Sequence, residues 1–167
     1  KHQKMLYELY YAYGIGICYR YAYSREDALE ILNDSFMKVF ENIGHFDPAR
    51  PFKPWFRKII IHKAIDYYRV NLRKVKTDTL EEEDVQVYHT EQVDQLEMED
   101  LKKLLDHLSE LQRMVFNLYE IEGYTHDEIA GMLGISSGTS RSYLTRAKER
   151  LRAKYQALYK GNYEQII

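Results

Sequence analysis

The chain has 167 residues, a single cysteine and a formal net charge of −2, from 24 Lys and Arg against 26 Asp and Glu. This length accommodates one ordinary domain or two small ones, and the lone cysteine excludes an internal disulfide framework and fits a reducing cytosol. No apolar run approaches the roughly 20 residues of a membrane span, no signal-peptide pattern opens the chain, and apolar residues recur at helical spacing, so we expect an all-α protein of the cytoplasm.

The charge is unevenly distributed along the chain. Residues 1–76 hold 14 basic and 8 acidic residues (net +6), residues 77–110 hold 2 and 12 (net −10), and residues 111–167 hold 8 and 6 (net +2). Two basic blocks therefore flank an acidic centre that is poor in core-forming residues. From this division we predict two small helical domains, residues 1–76 and 101–167, joined by an acidic linker, residues 77–100.

The first predicted helix spans Leu6–Tyr23 and contains seven of the sixteen tyrosines. Tyrosines at helical spacing are typical of a core whose hydroxyl groups stay hydrated. Gly14 and Gly16 weaken the helix or let a neighbouring helix approach closely. Cys18 lies among apolar residues without an obvious base, which indicates a buried structural thiol.

The second predicted helix follows Ser24, a favourable N-cap, and runs to about Ile43, where Gly44 ends it. Its core face consists of Ala28, Ile31, Leu32, Phe36, Val39, Phe40 and Ile43. The opposite face mixes acidic and amide side chains with two exposed apolar ones, and its members are Leu29, Glu30, Asn33, Asp34 and Met37. Such a face can dock on a basic partner helix, although a solvated surface is the commoner explanation for this pattern.

A loop with all three prolines, His45–Pro54, leads into the third predicted helix, which runs from Trp55 to about Arg73 with Pro54 in its first turn. One side of this helix is basic, with Lys58, His62, Arg69 and Arg73, and its inward residues are Phe56, Ile59, Ile60 and Ala64. A rigid loop beside aromatic rings and cations suits the gripping of unstacked bases, because stacking a base on an aromatic ring contributes about 1–3 kcal/mol and cations follow the phosphates. The alternative is that the aromatic residues belong to the core, as we expect for Trp55 and Phe56.

Helical periodicity resumes over Leu101–Leu111 and Gln112–Glu122, and Tyr124–Lys154 then has the pattern of a helix-turn-helix. Thr125 and Glu128 can form a capping box on the first helix of this motif. The apolar stripe of that helix is Ile129, Met132 and Leu133.

The turn and the second helix of the motif follow the same pattern. Gly134 stands where a helix C-terminus favours a left-handed residue, and Ser136 or Ser137 caps the second helix. The inward residues of that helix are Leu144, Ala147 and Leu151, and another face carries Arg141, Thr145, Lys148 and Arg152. The second helix of a helix-turn-helix usually lies in a DNA major groove, whereas the plainer alternative is a helical hairpin with a solvated basic face.

The sequence contains no recognisable catalytic, metal-binding or nucleotide-binding motif. The six histidines are scattered, without an HExxH, a CxxC or a cluster at metal-ligand spacing, and neither a phosphate loop nor a dinucleotide fingerprint is present. We therefore expect no catalytic residue, no metal site and no cofactor, in a protein that is not an enzyme.

Two blocks of the chain resemble the domains of one protein family. Glu26–Pro48 (EDALEILNDSFMKVFENIGHFDP) followed by Phe52–Arg69 (FKPWFRKIIIHKAIDYYR) is similar to domain 2 of the extracytoplasmic-function group of bacterial RNA polymerase sigma factors. Leu108–Leu151 is similar to domain 4 of the same group. The resemblance implies a transcription initiation factor that binds core RNA polymerase, reads the promoter −35 element as duplex and opens the −10 element. The partners it implies are core RNA polymerase (β′ clamp helices and β flap), promoter DNA and an anti-sigma factor or other recruiting protein, without membrane insertion.

The resemblance also implies roles for individual residues. The polymerase-docking residues are Leu29, Glu30, Asn33, Asp34 and Met37. The −10 residues are Phe46, Asp47, Phe52, Lys53, Trp55, Lys58, His62 and Arg69. The −35 residues are Ser137, Thr139, Arg141, Ser142, Arg146 and Arg150. His62 stands where the family commonly has asparagine, and Ser109 stands where domain 4 usually begins with proline.

Two other functions stay open at this point. One is a free-standing helix-turn-helix regulator with an N-terminal dimerisation domain, and the other is a helical adaptor that binds basic proteins through the acidic linker. A dimerisation domain needs neither the acidic docking face nor the aromatic basic loop of residues 26–69, and an adaptor does not need the basic helix after Ser136. These features favour the initiation factor.

Overall fold

The structure is a computed structural model that describes residues 2–75 and 103–163, with side chains described as far as residues 71 and 157. The chain divides into two compact units, Lys1–Tyr88 and His89–Ile167. Helices account for the regular structure of the described residues, and no strand occurs among them. The prediction of an all-α protein with two small helical domains is therefore confirmed, while the acidic linker, residues 77–100, lies outside the described residues.

Over residues 2–75, the described part of the first unit, the chain forms three helices and one short turn of 3₁₀ helix. Helix α1 spans His2–Tyr21, α2 spans Arg25–Asn42, a 3₁₀ turn spans Ile43–His45, and α3 spans Phe52–Val75. The α2 helix begins as predicted at the N-cap Ser24.

The N-terminus of α2 is tied to both its cap and α3. The Ser24 hydroxyl accepts a hydrogen bond from the backbone N–H of Asp27 at 3.0 Å, and the Asp27 carboxylate accepts one from the backbone N–H of Ser24 at 3.3 Å, a reciprocal capping box. The other oxygen of Asp27 accepts a hydrogen bond from the Tyr67 hydroxyl at 2.6 Å. Burial and this hydrogen bond raise the pKa of Tyr67 to about 12.

The three helices of the first unit pack against one another through aromatic rings. The rings of Phe36 and Phe56 lie 4.7 Å apart between centroids, and Tyr7 lies 4.5 Å from Phe36. A Cβ atom added to Gly14 would stand 2.6 Å from Leu32 Cδ1 and 3.1 Å from Phe56 Cε1. The absence of a side chain at Gly14 therefore allows α2 and α3 to approach α1 closely, as one of the two sequence interpretations held.

Cys18 is fully buried in this core. Burial raises the pKa of its thiol to about 12, so the thiol stays protonated and unreactive at neutral pH. The prediction of a buried structural thiol is confirmed.

Several predicted helix limits are wrong. Helix α1 begins at His2 rather than Leu6, and α3 begins at Phe52 rather than Trp55, which shortens the proline loop to residues 46–51. The early start is possible because Pro54 then falls in the first turn, where its missing N–H costs no helical hydrogen bond. Ile43, expected in the core, is 43% exposed because it lies in the 3₁₀ turn after α2.

The second unit contains helix α4 (Glu110–Phe116), a π-helical turn (Asn117–Ile121), α5 (His126–Leu133) and α6 (Ser137–Tyr163). The helical pattern predicted over Leu101–Leu111 is interrupted, since residues 103–105 are helical and residues 106–109 are not.

The interruption before α4 arises from a new helix start. Ser109 is the N-cap of α4, and its hydroxyl accepts from the backbone N–H of Gln112 at 3.4 Å. The Gln112 side chain in turn accepts from the backbone N–H of Ser109 at 3.2 Å. Serine thus starts the helix by hydrogen bonding where proline would do so by its fixed φ angle.

The core of the second unit includes a buried ion pair. Leu105, Leu108 and Ala147 form an apolar cluster with Phe116 and Leu151 against it. Beside the apolar core, the guanidinium of Arg113, whose side chain is 1% exposed, donates to Asp106 Oδ1 at 2.8 Å. This pair fixes the segment before α4 onto α4.

Candidate nucleic-acid and protein interfaces

The predicted helix-turn-helix is present in the second unit. Thr125 and Glu128 form the expected capping box at the start of α5. Gly134 ends α5 with a left-handed φ of 69°, and the backbone N–H groups of Gly134 and Ile135 both donate to the Ala130 carbonyl, at 2.9 and 3.1 Å. This glycine turn allows α6 to pack back across α5.

Ser136, rather than Ser137, caps α6. Its hydroxyl accepts from the backbone N–H of Thr139 at 3.0 Å. The Ser137 hydroxyl instead donates to Asp127 Oδ1 on α5, so this hydrogen bond joins the two helices of the motif. Both Ser137 and Thr139 are half-buried. On the basis of the sequence, both residues were assigned to contacts with the −35 element.

The outer face of α6 carries exposed polar and basic residues. Leu144 and Ala147 are buried as predicted, and Leu151 is partly buried. The exposed residues among the −35 assignments are Arg141, Ser142, Arg146 and Arg150. Arg141 and Ser142 are adjacent, and Arg146 and Arg150 follow at intervals of four residues, so these side chains lie on successive turns of the helix.

One member of the basic stripe expected on α6 has a structural contact. The Lys148 ammonium lies 2.5 Å from a carboxylate oxygen of Glu120 in the π-helical turn, and both side chains are partly screened from solvent. Lys148 therefore fastens α6 to the preceding element, which the sequence alone did not indicate because the two residues are far apart in the chain.

A second contact that sequence reasoning missed joins α5 to α6 at Ser140, the residue before Arg141. His126 Nδ1 is 2.9 Å from the hydroxyl of the fully buried Ser140, and the Tyr119 ring stacks on the imidazole at 4.4 Å. Burial lowers the pKa of His126, and the charges of Arg141 and Lys148 lower it further. The neutral imidazole thus braces α6 against α5.

In the first unit, a groove of 290 Å³ opens between α2 and α3. It is lined by Lys38, Asn42, His45, Trp55 and Ile59. Its volume lies just below the range of about 300–1,000 Å³ typical of pockets for drug-sized ligands, so it has room for one nucleobase. Of these five residues, Trp55 was among the −10 assignments and His45 opens the proline loop expected to grip bases. Lys38 and Asn42 were not foreseen, because they come from α2, which was assigned to the core and to protein docking.

Trp55 belongs to an aromatic cluster at the start of α3. Its ring lies 4.8 Å from Phe46 and 5.6 Å from Phe52. All three rings are half-buried, whereas Phe56 is fully buried. The expectation that Phe56 is core is confirmed, and the same expectation for Trp55 is wrong because its ring forms a wall of the groove.

The exposed side of α3 carries the predicted cations together with one acid. Lys58, His62 and Arg69 are exposed, and so is Asp66, which falls between the last two. The imidazole of His62 has a defined orientation, with Nδ1 2.7 Å from the carbonyl oxygen of Lys58.

Two further −10 assignments have contacts that hold them in place. Lys53 Nζ lies 5.3 Å from the centre of the Tyr13 ring, and the Tyr13 hydroxyl donates to the Lys53 carbonyl at 3.4 Å. The carboxylate of Asp47 accepts from the backbone N–H of Ala49 at 3.0 Å and lies 3.4 Å from Arg50 Nε, so it orders the loop after the 3₁₀ turn.

The acidic face of α2 is exposed as predicted, with one exception. Glu30, Asn33 and Asp34 are exposed and Met37 is 58% exposed, but Leu29 is half-buried and its expected exposure is wrong. The Asn33 side-chain oxygen accepts a hydrogen bond from the Tyr7 hydroxyl on α1 at 3.2 Å, which orients the amide.

Within the described residues, no group of three or more histidine, cysteine, aspartate or glutamate side chains is arranged to hold a metal ion. The same residues include no helix that is both long and apolar enough to cross a membrane.

Comparisons with known protein families match both units. The family model described as sigma-70 region 2 matches residues 6–74, and the model described as sigma-70, region 4 matches residues 98–151. The ECF RNA polymerase sigma-E factor of Haemophilus influenzae is 30% identical over 161 residues, covering 86% of this chain and 82% of that protein. The RNA polymerase sigma factor SigV of Bacillus subtilis is 26% identical over 136 residues, covering 81% and 80%.

Two solved structures have a similar fold. The sigma factor RpoE of Bartonella quintana, in complex with the anti-sigma factor NepR, superposes with a TM-score of 0.54 at 24% identity, covering 94% of this chain and 96% of that one. CnrH, in complex with the cytosolic domain of CnrY, superposes with a TM-score of 0.50 at 23% identity, covering 93% and 88%.

Proposed function

Because the chain belongs to the extracytoplasmic-function group of RNA polymerase sigma factors, we propose that it reads promoters with two separate surfaces, one in each unit, and holds core RNA polymerase with a third. It is a transcription initiation factor that directs RNA polymerase to promoters. The residue assignments rest on one observation. In each of the two units, one helix presents exposed basic side chains.

The surface proposed for the −35 element is the outer face of α6. Arg141, Arg146 and Arg150 are exposed there, and α6 follows a glycine turn that suits a recognition helix. Arginine can bind guanine with two parallel hydrogen bonds, and one such contact discriminates against a wrong base by about 1–3 kcal/mol. Arginines that reach only phosphates set the register and make binding depend on salt.

A pair of single variants tests this placement on α6. Arg146→Ala removes an exposed charge, whereas Lys148→Ala removes a charge that Glu120 already neutralises. We expect Arg146→Ala to reduce the slope of log affinity against log salt by about one for duplex −35 DNA, with a much smaller change for Lys148→Ala. Equal changes in both slopes would contradict the placement of α6 in the groove.

The surface proposed for the −10 element combines the groove with the exposed side of α3. Trp55 and His45 line a space of one base in size, and Lys58 lies one turn beyond Trp55 on α3. Extruding a base costs a few kcal/mol of unstacking, and a ring such as Trp55 recovers about 1–3 kcal/mol by stacking on it. Lys53, Lys58 and Arg69 carry charges suited to the displaced backbone.

Fluorescence offers a direct test of the groove, because Trp55 is the only tryptophan of the chain. We expect single-stranded −10 DNA, added to the holoenzyme reconstituted with tryptophan-depleted core polymerase, to quench Trp55 emission. The same strand with an abasic site at the extruded position is the matched control, and equal quenching by both strands would contradict the assignment.

The polymerase-docking surface is proposed on the exposed face of α2. Glu30, Asn33 and Asp34 supply acidic and amide groups beside the exposed thioether of Met37. Such a surface is complementary to a basic helical partner, and we place the β′ clamp helices there. Leu29 contributes only its partly exposed edge.

Charge reversal distinguishes docking from a merely solvated face. Glu30→Lys combined with Asp34→Lys is expected to abolish co-purification with core polymerase, because the reversed charges would repel a basic partner. Glu8→Lys reverses a similarly exposed glutamate on α1 and is expected to leave binding intact. Retained binding in the double variant would overturn the assignment.

Further partners and properties follow from the family. RpoE and CnrH were each solved with a controlling protein, NepR and the cytosolic domain of CnrY respectively. We propose that a protein of the same kind controls this chain, that the chain acts in the cytoplasm with the polymerase, and that it acts by binding rather than by catalysis. Transcription reconstituted with core polymerase on random promoter libraries tests the function as a whole, and a chain that initiated at no promoter would refute it.

A further inference from the structure

The hydrogen bond of His62 fixes which ring nitrogen carries the proton. Nδ1 lies 2.7 Å from the carbonyl oxygen of Lys58, one turn earlier on α3. A carbonyl oxygen can only accept a hydrogen bond, so Nδ1 must donate, and in the neutral ring Nε2 is then left with a lone pair. His62 therefore offers a hydrogen-bond acceptor to whatever approaches α3 from solvent.

The position of His62 places this acceptor next to the groove. Trp55 and Ile59 line the groove from α3, and His62 follows them by seven and three residues. These spacings correspond to about two turns and one turn of an α-helix, so the three side chains share one side of α3. His62 is exposed, and its ring is held by main chain rather than by a side chain that DNA would displace.

We propose that His62 Nε2 faces the major-groove edge of one −10 base and accepts a hydrogen bond from the N6 amino group of adenine or the N4 amino group of cytosine, so that the chain favours adenine or cytosine over guanine or thymine at that position. This inference rests on the proposed −10 role of α3. On the major-groove edge, adenine and cytosine present an amino donor where guanine and thymine present a keto oxygen, and the amino group of guanine lies on the opposite edge. A keto oxygen facing Nε2 would leave two acceptors opposed, with neither satisfied.

His62 offers a base fewer hydrogen-bonding groups than the asparagine common in the family. An asparagine amide has both a donor and an acceptor and can turn either toward a base. The imidazole held by Lys58 offers an acceptor alone, which discriminates between amino and keto bases but not within either class.

The test uses transcription by core polymerase reconstituted with the full chain, on promoters randomised across the −10 element. We expect the transcribed promoters to favour adenine or cytosine at one position by roughly 5- to 100-fold, the range that a single discriminating base contact supports. His62→Lys, which has donors and no acceptor, is expected to reverse this preference to guanine or thymine. His62→Asn is expected to lose it.

Lys58→Ala is the matched control, because it removes a neighbouring charge and leaves the main-chain carbonyl that orients His62. We expect it to lower transcription of all promoters alike and to make binding less dependent on salt, with the base preference retained. Transcription that persists with the same base preference in His62→Lys would overturn the inference and leave the proposed function standing. A wild-type chain that initiates at no promoter would instead reject the proposed function.

Discussion

Replacing Gly14 by alanine tests whether the close packing of the first unit is set by a missing side chain. Two opposing effects are expected. Alanine is about 1 kcal/mol more favourable than glycine inside a helix. Against this, the new Cβ would stand 2.6 Å from Leu32 Cδ1 and 3.1 Å from Phe56 Cε1, where carbon atoms prefer about 3.5–4.0 Å.

The steric effect is expected to dominate. Leu32 and Phe56 are both fully buried, so neither can move toward solvent to relieve the overlap. Overpacking of a well-packed core typically costs about 1–3 kcal/mol, which leaves a net destabilisation of about 1 kcal/mol, and at most 2, after the gain in helix propensity. For a unit of this size, the melting temperature would fall by about 4–16 °C.

Trp55 fluorescence follows this unfolding selectively, because the only tryptophan of the chain lies in the first unit. Gly131→Ala on α5 is the control, since a Cβ there meets nothing within 4 Å and the substitution is expected to stabilise the second unit. In a Leu32→Val background, which removes the nearest methyl group, Gly14→Ala should cost less. A raised melting temperature for Gly14→Ala, or an equal cost in both backgrounds, would refute the steric argument.

Three further substitutions probe other contacts. Burial lowers the pKa of His126, so the stability that its neutral ring contributes to the second unit is complete above pH 6.5 and is lost as pH falls from there through the folded pKa. Burial also lowers the pKa of His107 in the same unit, so His126→Gln should make the decline shallower, without abolishing it, in melts followed by circular dichroism. An unchanged decline would contradict the assignment. Asp106→Ala should cost about 3–5 kcal/mol in urea unfolding, because it removes one partner of a buried ion pair, whereas Asp106→Leu with Arg113→Met should be near neutral. A mild effect of the single variant would contradict the importance of the pair. Ser24→Ala should destabilise the first unit by about 1 kcal/mol, measured by fluorescence, through loss of the α2 cap; no loss would show that the cap is dispensable.

The helices that could be predicted from the sequence are those with a local start signal. Ser24 and Thr125 each have an acidic residue three positions later, and both capping boxes form as their spacing suggests. One wrong limit also had a local signal, because Ser109 and Gln112 have the spacing of a capping box and start a new helix within the periodic stretch. The pairing of Asp106 with Arg113 across seven residues accompanies this break, and no local pattern records that contact.

The residues of the candidate sites also fall into two groups: those that local spacing predicts and those that only tertiary contacts bring together. Exposed cations on α6 could be recognised from their spacing, since that spacing also defines the buried side of the helix. The groove could not, because it joins Lys38 and Asn42 on α2 to Trp55 on α3. The pairing of Lys148 with Glu120 was equally invisible, because it needs the π-helical turn to bring a distant acid to α6.

These contacts also explain how a chain with a net charge of −2 can bind DNA. At physiological salt, charges separated by more than about 8 Å are largely screened, so a phosphate responds to the cations next to it and not to the sum over the chain. On α6 the Lys148 charge is neutralised by Glu120, while Arg141, Arg146 and Arg150 remain exposed along the same helix. The acidic residues of the chain are concentrated in residues 77–110, a different segment. Net charge is therefore a poor guide to the partner of this protein, because the charges that matter to a phosphate are the exposed ones on the helical face that it contacts.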